Sequence, residues 1–121
     1  MKNMKIENGR IFLDNGYGTI YDFEIVEKIP AGFEIWNIGG LGEYIPVCQT
    51  ISGSCNVDIT TLKAIRLTEN EVAILNSAAG SGIKTLNAAE KALKSRRRGY
   101  WSDMKRTEAG KTINIFRKIT A

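Results

Sequence analysis

Thr68-Glu69-Asn70-Glu71-Val72-Ala73-Ile74-Leu75 is the stretch at which the chain changes character. Thr68 and Glu71 have capping-box spacing: the Thr hydroxyl can accept the N–H of the third helical residue while Glu71 reaches back to the cap. A helix therefore begins here. Val72, Ile74, Leu75, Ala78 and Ala79 supply its apolar side, and Gly80-Ser81-Gly82 stops it. A second helix is expected from Ile83, with Ile83, Leu86, Ala89 and Leu93 as its stripe. Gly99 marks a kink or break. Trp101, Met104, Ile113, Phe116 and Ile119 then carry helical spacing to the C-terminus, with Gly110 as an interruption.

Upstream of Thr68 the pattern is that of strands and tight turns. Asn8-Gly9 and Asn15-Gly16 tolerate positive φ and suit hairpins, with Arg10-Ile11-Phe12-Leu13 as a short strand between them. From Thr19 to Ile29 the period is two: Tyr21, Phe23, Ile25 and Ile29 share a face, and Asp22, Glu24 and Lys28 take the other. Pro30-Ala31-Gly32 turns the chain into a strand over residues 33–38, and Gly39-Gly40-Leu41-Gly42 interrupts it. Trp36 points away from Phe33 and Ile35, so one core cannot explain both faces of that strand. Tyr44 to Cys48 is extended, with Pro46 suggesting a sheet edge. Ser52-Gly53-Ser54 turns again before a strand or helical turn over residues 62–67. Connections this short exclude crossover helices and predict antiparallel pairing. The fold class expected is α+β: an N-terminal antiparallel β-sheet followed by C-terminal α-helices, in a single domain over 1–121 with a β-rich part (1–67) and a helical, basic part (68–121).

Composition narrows the function. The chain has 121 residues, 43% of them apolar and 25% charged, which fits a globular domain. No apolar run approaches the ~18–20 residues that cross a bilayer. Met1 to Ile6 lacks the apolar centre of a secretory signal, so a cytoplasmic protein is expected. The absence of histidine removes Ser-His-Asp and Cys-His nucleophiles, the histidine base and nearly every catalytic zinc site. Cys48 and Cys55 lack the partners of a metal site and are expected to be free thiols, a hairpin disulfide being the alternative. No metal and no cofactor is expected. Asp22, Glu24, Glu27 and Glu34 suit the solvent face of strands better than an acid–base pair. The net charge of +4 conceals a division: residues 1–60 carry four basic and eight acidic side chains, residues 61–121 thirteen and five. The basic half is the place for an anionic partner, unless the two halves simply attract each other.

The densest cationic stretch is Lys94-Ser95-Arg96-Arg97-Arg98-Gly99-Tyr100-Trp101-Ser102-Asp103-Met104-Lys105-Arg106. Three consecutive Arg cannot share one helix face, since successive residues step about 100° around the axis. At least one is free to meet a phosphate through its planar fork. Tyr100 and Trp101 beside them offer surfaces on which a base can stack, at about 1–3 kcal/mol per base. The plainer alternative is a solvated basic helix with Trp101 in the core. Gly39-Gly40-Leu41-Gly42 lacks the helix that must follow a phosphate-binding loop, and reads as a turn or flap.

Three segments, Lys5 to Gly18, Glu34 to Gly39 and Ala92 to Tyr100, together with the strand-then-helix layout, resemble the small phage-encoded Thoeris anti-defence proteins of the first type. The resemblance implies a non-enzymatic sponge that sequesters cyclic ADP-ribose isomers, including glycocyclic forms, made by TIR-domain enzymes of the infected bacterial host. It also implies a homodimer or dimer-based hexamer, with cyclic di- or trinucleotides held by some members at a separate site. Side-chain chemistry then selects the candidate ligand residues. Arg97, Arg98 and Arg106 would hold the pyrophosphate, with Lys105 adding charge. Trp36, Tyr100 or Trp101 would stack the adenine, and Asn37 or Asn87 would read a base or ribose edge. Two alternatives remain: a small DNA- or RNA-binding regulator using residues 94–106, and a phage or mobile-element structural protein assembled through its charge division.

Overall fold

The computed structural model describes the chain apart from residues 1–2, 15, 37–41, 52–53 and 56–61, and apart from the side chains of residues 3, 49–51, 54 and 55. Among the described residues seven strands precede three helices: β1 (Asn3–Glu7), β2 (Arg10–Asp14), β3 (Ile20–Val26), β4 (Phe33–Ile35), β5 (Tyr44–Ile51), β6 (Ser54–Cys55), β7 (Lys63–Arg66), α1 (Glu69–Gly80), α2 (Leu86–Lys94) and α3 (Tyr100–Ile119). The sheet runs β1-β2-β3-β7-β5-β4, with β6 paired to β5. This is the α+β arrangement that the strand-then-helix pattern predicts. It differs in one pairing, because β3 and β7 run parallel. Short connections force antiparallel pairing only between neighbours in sequence. β4, β5 and β6 lie between β3 and β7, and so much chain can return a strand in either direction.

Register explains which face is buried where. Ile35 stands opposite Val47, Val47 opposite Lys63, Lys63 beside Glu24, Glu24 opposite Arg10, and Arg10 opposite Glu7. One row on one face thus passes from apolar to charged. The helices cover its apolar end, where Ile35, Ile45, Val47 and Ile65 pack with Leu75, Ile83, Ala89, Ile113 and Phe116. Toward β1 the same face carries ion pairs instead: Arg10 with Asp22 at 2.8 Å and Lys63 with Glu24 at 3.1 Å. The bond to Asp22 raises the Arg10 pKa above its ordinary value. The opposite face holds a second core of Ile11, Leu13, Phe23, Cys48, Leu62 and Ala64, with Tyr21, Ile25, Trp36 and Tyr44 packed against it. Ile29 leaves the face expected for it. It follows the end of β3 and joins the helix-side core, donating its N–H to the Ile119 carbonyl at 2.7 Å.

Local chemistry accounts for the turns and helix ends. Asn8 and Gly9 both take positive φ, at 53° and 74°, as a two-residue hairpin requires. At Thr68 the capping box forms: the Glu71 N–H donates to the Thr68 hydroxyl at 3.2 Å and the Thr68 N–H to the Glu71 carboxylate at 3.1 Å. That backbone bond holds the Glu71 carboxyl below its ordinary pKa, and Lys118, at 3.3 Å, adds to the effect. A carboxyl depressed in the folded state contributes stability above its unfolded pKa and loses it as pH falls through the folded value. Thr68→Ala is therefore expected to cost about 1 kcal/mol in urea unfolding. Glu71→Gln should flatten the acid limb of the stability–pH profile.

α2 begins later than the apolar stripe suggests, at Leu86 with Thr85 as its cap, because the Thr85 hydroxyl takes the Ala88 N–H at 3.0 Å. Gly99, at φ 125°, caps α3, and Gly110 lies within that helix without breaking it. Pro46 is not at an edge, since β5 lies between β7 and β4. Its carbonyl accepts the Trp36 N–H at 2.9 Å, but it has no N–H to return, and the β4 ladder ends there. Cys48 is disulfide-bonded and not the free thiol expected, and among the described residues no cysteine is free. The β5–β6 register places Cys55 opposite Thr50, two positions along β5 from Cys48. Cys48 is 1% exposed, so its own sulfur is shielded from solvent. Among the described residues, no helix is long and apolar enough to cross a membrane.

Candidate functional site

The densest cationic stretch forms the connection between α2 and α3 and the first two turns of α3. α3 packs against both α1 and α2. Where α2, the turn after α1 and the start of α3 converge, they leave a cavity of about 460 Å³, a size suited to a small ligand. Its cations come from three places: Lys91 on α2, Arg97 in the connection and Lys105 on α3. Ser95 and Ser102 supply hydroxyls, and Gly82, Ile83, Ala88 and Ala92 form its apolar wall. Three positive charges and no carboxylate line this space, an arrangement that favours an anion. The start of α3 adds to it. Gly99 provides no side-chain cap, so the first N–H groups of the helix remain for solvent or an anion.

Arg106 builds the site without lining it. Its guanidinium donates to the Ser95 carbonyl at 3.2 Å and the Arg97 carbonyl at 2.6 Å, and pairs with Asp103 one turn earlier. The Arg97 N–H in turn donates to the Ser95 hydroxyl at 3.3 Å. Arg106 thus clamps the loop that presents Arg97. Its Nη1 and Nη2 groups donate to the chain's own oxygens, and it stands outside the cavity lining that Arg97 and Lys105 share.

The other candidates divide. Arg97 and Lys105 share the cavity. Arg98 is exposed beside it without lining it. Tyr100 and Trp101, 74% and 69% exposed, meet edge to face with ring centres 5.2 Å apart. Trp101 lies one turn before Lys105 on α3 and so shares its side of the helix. The alternative of Trp101 in the core does not hold. Trp36 cannot join this group: it packs on the second core, across the sheet from the helices. Asn37 lies outside the described residues. Asn87 is exposed near the start of α2 and lines a different cavity of about 520 Å³ with Phe33, Leu86, Phe116 and Thr120.

Lys91, Ser95 and Ser102 were not singled out by sequence. The available signal was Ala88, one helical turn before both Lys91 and Ala92: the two alanines are small and leave room beside a cation. Among the described residues no group of three His, Cys, Asp or Glu side chains converges as a metal site would require. No family model, curated protein or solved structure matches this chain.

Proposed function

We propose that the protein captures a small phosphate-bearing nucleotide in the α2–α3 cavity and releases it unchanged, acting as a sponge for cyclic ADP-ribose-type signals. The supporting observation is the convergence of Lys91, Arg97 and Lys105 on one cavity without an opposing carboxylate. A pyrophosphate takes two negative charges into such a space, and Arg97 can meet it with a bidentate fork. Tyr100 and Trp101 offer stacking surfaces beside it. A binder of this kind needs no general acid or base, so a chain without histidine can perform the task. The finer reading, a glycocyclic ADP-ribose isomer withheld from TIR-based immunity in the cytoplasm of an infected bacterium, rests on the family resemblance. So does a homodimer or a hexamer of dimers.

A second reading draws on Arg96, Arg98, Tyr100 and Trp101, which are exposed on one short stretch beside the cavity. Such a surface can also follow a nucleic-acid backbone, as a small DNA- or RNA-binding regulator would. Calorimetry with a glycocyclic ADP-ribose isomer, ADP-ribose and duplex DNA separates the two. The sponge reading expects the cyclic isomer to bind at micromolar concentration, with modest salt dependence, and to be recovered intact by chromatography. Absence of binding, or a hydrolysed product, overturns it. Duplex binding that falls steeply with salt supports the regulator.

A further inference from the structure

β1 forms a sheet edge that the helices do not reach. It pairs with β2 on one side and, among the described residues, has no strand on the other. Such an edge is a template for another strand. The two-residue Asn8–Gly9 turn closes on Glu7 and Arg10, which makes theirs a hydrogen-bonded pair. By alternation, the backbone groups of Met4 and Ile6 point away from β2. Their side chains continue the second apolar face beside buried Leu13 and Ile11, yet are 42% and 48% exposed. On the charged face, the register row Lys63, Glu24, Arg10, Glu7 alternates in sign and ends at this edge on a carboxylate.

We propose that β1 pairs antiparallel with β1 of a second copy of this chain, about a two-fold axis at Ile6, so that one sheet spans a dimer. This register places Ile6 opposite Ile6 of the second copy, joining the outward N–H and carbonyl of Ile6 in each copy and covering its apolar side chain, while Met4 comes opposite Asn8 of the turn. It also sets Lys5 of each copy opposite Glu7 of the other, twice by symmetry. Those are non-hydrogen-bonded pairs, whose Cα atoms approach to about 4.5 Å and whose side chains lie closest. Lys5 then fills the next position in the alternating row, after Glu7. In the single chain Lys5 and Glu7 meet each other at 2.9 Å while both remain exposed, a contact of little energy. Moving the axis to Lys5 would place two ammonium groups opposite each other, which is unfavourable. An interface that pairs only residues 5–7 of each strand is small, so the dimer is expected to be concentration-dependent.

Sedimentation velocity across the micromolar range tests the proposal on the full chain. The wild type should dimerise, and K5E should weaken the dimer about tenfold by setting like charges opposite each other twice. E7K should weaken it similarly, and K5E/E7K should recover most of the loss relative to E7K alone. Both single variants keep the helix-side core, and circular dichroism checks the fold. Ile6→Cys gives an independent readout. Its thiols would face each other across the axis, and mild oxidation should yield a covalent dimer in non-reducing electrophoresis. A wild type that stays monomeric, or a dimer indifferent to K5E, overturns the proposal. It is independent of the nucleotide reading, because the helix cavity is at the other end of the sheet: a dimer that binds no nucleotide would uphold it.

Discussion

Phe116→Ala is expected to remove about 3–5 kcal/mol of stability, enough to unfold much of the population of an ordinary domain under mild stress. Phe116 is 1% exposed and stands in the helix-side core with Ile113 and Ile119, near the point where α3 is tied to Ile29. Truncation loses the burial of the ring and leaves a cavity between sheet and helix that close packing only partly refills. Urea unfolding monitored by circular dichroism measures the loss. Trp101→Ala is the contrasting case. Helical spacing puts Trp101 and Phe116 in one series, but Trp101 is 69% exposed, so its removal should change stability by less than about 0.5 kcal/mol. A large loss at Trp101, or a small one at Phe116, would refute this account of the core.

Removing both Arg97 and Lys105 should weaken nucleotide capture by about 100-fold or more, since a hydrogen bond to a charged group is worth about 1.5–3 kcal/mol. Both side chains are exposed, so the fold should persist in the Arg97→Ala/Lys105→Ala protein. Arg106→Ala should weaken binding too, but by releasing the loop that carries Arg97. Calorimetry on a double-mutant cycle distinguishes these roles. In an Arg97→Ala background, Arg106→Ala should add little. An equal loss in both backgrounds would make Arg106 a direct ligand. Affinity unchanged in the Arg97→Ala/Lys105→Ala protein would place the ligand elsewhere.

Much of the fold was legible because its cues act within a few residues. The box at Thr68 and Glu71 depends on a spacing of three, and the Asn8-Gly9 hairpin on two residues that accept positive φ. The opposite sidedness of Ile35 and Trp36 follows from strand alternation, and the two cores bear it out. Pro46 departs from the edge position that strand prolines favour, because the end of the partner strand β4 serves equally well. The candidate site was legible in charge but not in geometry. A run of three Arg does not reveal which one faces a cavity. Nor does it show that Arg106 is occupied by the carbonyls of Ser95 and Arg97.

The sequence by itself determined where strands give way to helices, where the first helix is capped, and that positive charge gathers at residues 94–106. Caps, turns and composition are properties of neighbouring residues, and no distant contact is needed to read them. Only the tertiary structure decided that β3 and β7 lie side by side in parallel, that Trp36 and Arg97 are on opposite sides of the sheet, and that Lys91 completes the cationic cavity. Those outcomes depend on which apolar faces bury each other most completely, and residues far apart in the chain settle that together.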